Sequence, residues 1–312
     1  MRTLAVIMPA LALASCAMDA GAGAGARGAP LASDAVIDAA TTAAPLSWVT
    51  ANGWNDPMAP FTVMGNIHYV GTRTISAWLI TDPKGHILID GVVPQSPPQI
   101  IANIKALGFD IRDVKYLLNS HAHFDHAGGL AALQRASGAV MAASAGDKPF
   151  LEAGMVEHGP AKGIAFPPIR VDRVVGEGDV VRVGNVTLTA HMTPGHSPGC
   201  TSWSMPVKGA DGAAHKAFFH CSATVAEQSL VPEAYPGMVA AFRATFDKLR
   251  TRDADVFLAN HDFFFDLHEK RARLEAGDAN AFVDAGALAR FDTAMEAEFE
   301  AEFAAQSKKD RK

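Results

Sequence analysis

The chain is poor in cysteine, in charge and in long apolar runs, and each shortage narrows what it can be. Only three of 312 residues are cysteines, and one of them, Cys16, lies in the N-terminal segment. Charged residues make up 19% of the chain, and acids outnumber bases 33 to 27, for a net charge of −6. That balance argues against nucleic acid as a partner. The apolar stretch at residues 4–13 is too short to span a bilayer. No linker of biased composition divides residues 46–312, and 49% of the chain is hydrophobic. The composition is that of a soluble globular protein, long enough to bury a large core.

The first residues read as an address rather than as fold. Arg2 supplies a positive start and residues 4–13 the apolar stretch of an export signal. Leu13-Ala14-Ser15-Cys16 is similar to a bacterial lipobox, which makes residues 1–16 a signal peptide and Cys16 a lipidated N-terminus. The alternative is an ordinary secretory signal cut a few residues later. Both readings export the protein to the periplasm, the first with membrane attachment. Residues 17–45 are rich in Ala and Gly without an apolar period and read as a flexible tether, leaving 46–312 as the catalytic domain. No protein partner is expected. In an oxidising compartment Cys200 and Cys221, flanking an apparent hairpin, are placed for a disulfide; two separately buried thiols are the other reading.

Strands are expected at 76–81 and 86–90 around a Pro-Lys-Gly turn, at 114–118, near 139–144, at 186–191, on either side of the hairpin, and at 256–259. Helices are expected from Pro97 with Ser96 as N-cap, from Leu130 to a stop at Gly138, over 238–249, and along the C-terminal stripe Leu288, Phe291, Met295, Phe299 and Phe303. Residues 145–170, with Phe150, Met155 and Phe166, read as an irregular lid. Strands lead into helices in both halves, which suggests two similar α/β halves around one site.

The densest chemistry is His121-Ala122-His123-Phe124-Asp125-His126. Three imidazoles and a carboxylate at the end of an apolar strand would be desolvated without partners unless a metal compensates them. Two further apolar strands run out into histidine-bearing loops: Thr193-Pro194-Gly195-His196-Ser197-Pro198-Gly199 and Asn260-His261-Asp262. Six candidate ligands divide into two sets of three, and each set would leave a position open for water.

These motifs resemble the metallo-β-lactamase superfamily. Further segments resemble its subclass B3: Gly65 to Gly71, Gly85 to Gly91, Leu118-Asn119-Ser120, His220-Cys221-Ser222, and Leu267 to Arg271. The resemblance covers about residues 46–300. It implies an αβ/βα four-layer sandwich and two Zn²⁺ per chain, one on His121, His123 and His196, the other on Asp125, His126 and His261. It implies hydrolysis of the β-lactam amide by a metal-bridging hydroxide oriented by Asp125, without a covalent acyl-enzyme, and hence antibiotic resistance. Two zincs with Asp125 and hydroxide leave a local excess of positive charge that suits an anionic substrate. Ser222 and Thr224 are the implied substrate contacts, with plain strand-end hydroxyls as the alternative. A zinc thiolate at Cys221, as in a related subclass, is a third reading of that residue. His68, His86, His158, His191, His215, His220 and His268 lack partners at ligand spacing and are read as structural.

Two other functions compete. Glyoxalase-II-like thioesterases and acyl-homoserine lactonases of the superfamily share the first motif but place a metal-bridging Asp where this chain has Cys221-Ser222. There is no Asp between Asp211 and Asp247. A non-catalytic exported zinc-binding protein is the other, and the open coordination of three-ligand sets argues against it.

Overall fold

Alternation of side chains along the strands builds a sandwich with two separate cores. The computed structural model describes residues 31–310; residues 1–16, expected as a signal peptide ending in Cys16, lie outside them. Strands β1 (Phe61–Met64), β2 (Ile67–Tyr69), β3 (Trp78–Asp82), β4 (Gly85–Ile89), β5 (Val114–Leu118), β6 (Val140–Ser144) and β7 (Arg173–Val175) lie side by side in chain order. A second sheet holds β8 (Val180–Val183), β9 (Val186–Met192), β10 (Thr201–Lys208), β11 (Ala214–His220) and β12 (Val256–Ala259), again in sequence.

Along β3, Trp78 and Ile80 point into one core and Leu79 into the other; β4 repeats this with Ile87 and Ile89 against Leu88. Successive residues of a strand face opposite ways, so an unbroken apolar strand serves two layers at once. The inner core lies between the sheets, where Trp78 meets Phe219. Helices α1 (Asp34–Thr42) and α2 (Ser47–Ala51) precede the first-sheet strands, α3 (Pro97–Ala106), α4 (Phe124–Ala127), α5 (Leu130–Ser137) and α6 (Lys148–Ala153) are threaded among them, and residues of α1 to α5 bury against that sheet's outer face. In the second half, helix α7 (Met238–Leu249) lies between β11 and β12, and α8 (Leu267–Glu275) and α9 (Ala287–Asp310) follow β12; Phe242 and Phe246 of α7 meet Phe299 of α9. The architecture is the expected αβ/βα sandwich, helices outside and sheets inside.

Helix α7 and strand β12 have the bounds expected from their apolar pattern, and α5 ends at Gly138, whose φ of +68° suits glycine. Three expectations need correction. The tether is helical over α1: the Ser33 side chain caps it, Ile37 is buried, and Arg135 of α5 pairs with Asp34 and Asp38. Ser96 stands at the N-cap position of α3 but does not cap; its hydroxyl donates to Asn55 Oδ1 at 2.7 Å. The supposed lid contains α6, and Phe166 is buried in the outer core with Phe150 packed partly against it.

Candidate metal centre

The six donors gather at one rim because each stands just beyond the C-terminal end of a strand. His121 and His123 lie on the loop after β5, and Asp125 and His126 on α4, which that loop enters directly. His196 lies between β9 and β10, and His261 follows β12, its backbone bridged to Ile75.

His123 Nδ1 faces His121 Nε2 at 3.1 Å and His196 Nε2 at 3.0 Å. Asp125 Oδ2 lies 3.1 Å from His126 Nε2 and 3.4 Å from His261 Nε2, and those two nitrogens are 3.2 Å apart. In each set the three donor atoms lie within 4.8 Å of one another, close enough to hold one metal ion. Each set also takes two donors from the end of the first sheet and one from the second.

The chemistry of these donors fits a cation. Three imidazole nitrogens aimed at one another cannot all be satisfied as mutual donors and acceptors, since a neutral ring offers one of each. His196 Nδ1 donates to Thr224 O at 2.8 Å, which leaves Nε2 with its lone pair turned into the cluster. Burial lowers the pKa of His196 to about 4, and burial holds His121 and His123 well below the usual histidine range. His261 is lowered too, again chiefly by burial. Neutral imidazole is the form that binds metal. Burial pushes the Asp125 carboxyl up, but the His126 charge and hydrogen bonds from His126 and His261 outweigh it and hold Asp125 well below the carboxylate range. His126 is raised because Asp125 overcomes its burial.

One residue without an assigned role shapes the first loop. Asp90, at φ +63° beyond β4, accepts from Ser120 N at 2.7 Å and Asn119 Nδ2 at 3.1 Å, and its Oδ2 stands 3.9 Å from His126 Nδ1. A lone acid closing an apolar strand was the signal for it. The Cys200 and Cys221 sulfurs lie at disulfide distance, with Cα atoms 5.8 Å apart. His121 is near enough to form a donor group with both sulfurs. None of the seven histidines read as structural joins a ligand group among the described residues.

The rim opens into a cleft of 860 Å³. Ser222 and Thr224 line it, their hydroxyls 3.2 Å apart. Its walls are aromatic: Trp48, Trp54, Phe263 and Phe264 line it, and the ring centroids of Trp54, Phe263 and Phe264 all lie within 5.8 Å of that of His261. These four were missed: Trp48 and Trp54 sit far from the ligand motifs in sequence, and Phe263 and Phe264, two and three residues past His261, bear no local mark of a wall. Of the expected lid, Pro160, Ala161 and Ile164 reach the cleft, whereas Phe150, Met155 and Phe166 do not line it.

The profile of the metallo-beta-lactamase superfamily matches residues 70–210. Among solved structures, the subclass B3 metallo-beta-lactamase BJP-1 of Bradyrhizobium japonicum is 43% identical, with a TM-score of 0.79 over 83% of this chain and 98% of that one. The chain belongs to the metallo-beta-lactamase superfamily, in subclass B3. The FEZ-1 metallo-beta-lactamase from Legionella gormanii is 34% identical, with a TM-score of 0.78 over 81% of this chain and 98% of its own. The N-acyl homoserine lactonase AttM of Azorhizobium caulinodans is 30% identical over 155 residues, 40% of this chain and 57% of that protein. The chain thus spans roughly half the length of the curated relatives it matches, 48% to 57% of the first three. Membership in this superfamily implies divalent-metal binding, and the two donor sets could hold metal.

Proposed function

We propose that this protein is an exported, zinc-dependent β-lactamase that opens the β-lactam amide bond with water. One observation carries the reading: two sets of three donors, drawn from both sheets, converge at the floor of a single cleft. His121, His123 and His196 would hold one zinc and Asp125, His126 and His261 a second. Each set leaves coordination free, as catalytic zinc requires. Bound there, the two ions would supply Lewis acidity toward the lactam carbonyl and bring the pKa of water down toward neutrality.

The chain's own groups do the positioning. Asp125, held ionised at the centre of its set, is placed to orient the attacking water and take its proton, which passes to the ring nitrogen as the amide opens. Thr224 keeps His196 in one tautomer through its carbonyl. The Ser222 and Thr224 hydroxyls are placed to donate to the substrate carboxylate; neither Lys nor Arg lines the cleft among the described residues. Trp54, Phe263 and Phe264 would cover the apolar body of the substrate and exclude bulk water.

Export rests on residues 1–16, with Cys16 either lipidated at the membrane or left behind by cleavage to a soluble periplasmic form. In that oxidising compartment the Cys200 and Cys221 pair would be a disulfide. Resistance to β-lactam drugs is the consequence of such an activity outside the cytoplasm.

The lactonase relatives favour a second reading, an exported hydrolase of lactones or thioesters. Against it stands Cys221-Ser222 where those enzymes carry a bridging acid. Zinc analysis of the purified protein, paired with nitrocefin, an acyl-homoserine lactone and a thioester, separates the readings. About two zincs per chain are expected, with nitrocefin cleavage lost on chelation and restored by zinc. Zinc binding with nitrocefin left intact would reject the β-lactamase reading, and lactone or thioester cleavage in its place would install the second.

A further inference from the structure

Besides Asp90, the proposed mechanism leaves a second buried acid next to the metal centre unused. Asp147 lies at the turn between β6 and α6, is 1% exposed, and forms no ion pair among the described residues. Three neutral donors hold its carboxylate instead. Oδ2 accepts from Ala122 N at 3.0 Å and from Ser197 Oγ at 3.0 Å, and Oδ1 accepts from Gly199 N at 2.9 Å. Ala122 is the residue between His121 and His123, and Ser197 follows His196. One carboxylate therefore ties together the two loops that supply the three-histidine set.

The neighbouring backbone is built for that approach. Ser144 Oγ donates to Gly199 O at 2.6 Å and accepts from Asp147 N at 3.2 Å, which closes the bracket. A Cβ on Gly199 would lie 2.3 Å from Asp147 N, and one on Gly146 would lie 2.6 Å from Pro198 O. Only glycine at both places lets the turn and the histidine loop meet backbone to backbone. Asp125, His126 and His261 have no hydrogen bond to Asp147.

We propose that Asp147 is the positioning residue of the three-histidine set, holding the His121–His123 loop and the His196 loop in the register at which their ring nitrogens converge on one metal ion. This rests on the reading that those histidines bind metal. A buried carboxylate with three donors from two loops fixes their separation and orientation together. An asparagine there keeps one acceptor but turns an N–H₂ toward groups that themselves donate. Groups that orient ligands through hydrogen bonds govern about 10- to 100-fold in metal affinity.

The test isolates each set. His261→Ala leaves only the three-histidine set complete, and His196→Ala leaves only the other. Asp147→Asn is placed in both backgrounds, zinc affinity is measured by competition with a chromophoric chelator, and the cobalt(II) absorption spectrum reports ligand geometry. The expected result is zinc affinity weakened by about 10-fold or more, with an altered cobalt spectrum, in the His261→Ala background and no change in the His196→Ala background. Equal losses in both backgrounds, or none in the first, overturn the proposal. A metal-free protein with the Asp147→Asn change but no cooperative thermal transition is replaced by Ser197→Ala, which removes one of the three bonds and should weaken only the same set. A wild-type chain that binds no zinc at all would overturn the metal reading itself, an outcome distinct from zinc-binding variants that ignore Asp147.

Discussion

Asp125 is the only carboxylate among the six donors, and it touches both imidazoles of its set. Replacing it by Asn keeps the size of the side chain and removes the charge and the proton acceptor. Asp125→Asn is expected to lower kcat/KM for nitrocefin by about 100-fold or more, with an unchanged circular dichroism spectrum. A rate within a fewfold of wild type would rule out its assigned role. The donors were legible in the sequence because crowded histidines at the end of an apolar strand have few explanations other than a metal. The cleft walls were not. Trp48, Trp54 and Phe263 become neighbours only when α2 and the segment after β12 are brought to the same rim, and aromatic residues carry no local mark of a binding wall. Phe150 and Phe166 show the converse error. Apolar residues in an irregular stretch look like a lid, yet burial in the outer core satisfies them better.

At the scale of elements, strands β3 to β6 and β9 to β12 and the two amphipathic helices α5 and α7 could be read from their periods; the short strands β1, β2, β7 and β8 were not expected, and neither was α1. Its sequence is rich in Ala, Asp and Thr, and a single side chain, Ile37, is buried. Such a helix is stable through its dock rather than through its pattern. Ile37 belongs to the outer core, and the Arg135 pairs with Asp34 and Asp38 are exposed and contribute little. Ile37→Ala is therefore expected to cost about 2 kcal/mol in urea unfolding, and Arg135→Ala under about 1 kcal/mol. A negligible loss from Ile37→Ala would mean that α1 is not held against α5 in solution.

Across the whole molecule, two features set how stability responds to conditions. Cys200 and Cys221 are 21 residues apart and close the hairpin of β10 and β11. If they are bonded, reduction or paired Cys→Ala substitution should lower the free energy of unfolding by about 3 kcal/mol; a stability indifferent to reductant would show free thiols. Asp292 of α9 is the second. Burial pushes its carboxyl up to about 6, with Arg250 countering and Glu296 and Asp247 adding to the shift. With a folded-state pKa of about 6 above the unfolded one, the buried acid costs little below about pH 4, and its cost grows as pH rises from about 4 to about 6 and is full above that. Asp292→Asn should raise the melting temperature at pH 8 and leave it nearly unchanged at pH 4. Equal effects at both pH values would contradict this.

The donor sets have a consequence for how such a molecule can be assembled from parts. A fragment ending after β7 contains four of the six donors yet completes neither set, because His196 and His261 come from the second sheet. Neither half could be inherited, copied or shuffled alone with any of the chemistry. A duplicated half transmits a scaffold, and catalysis exists only as a property of the joint.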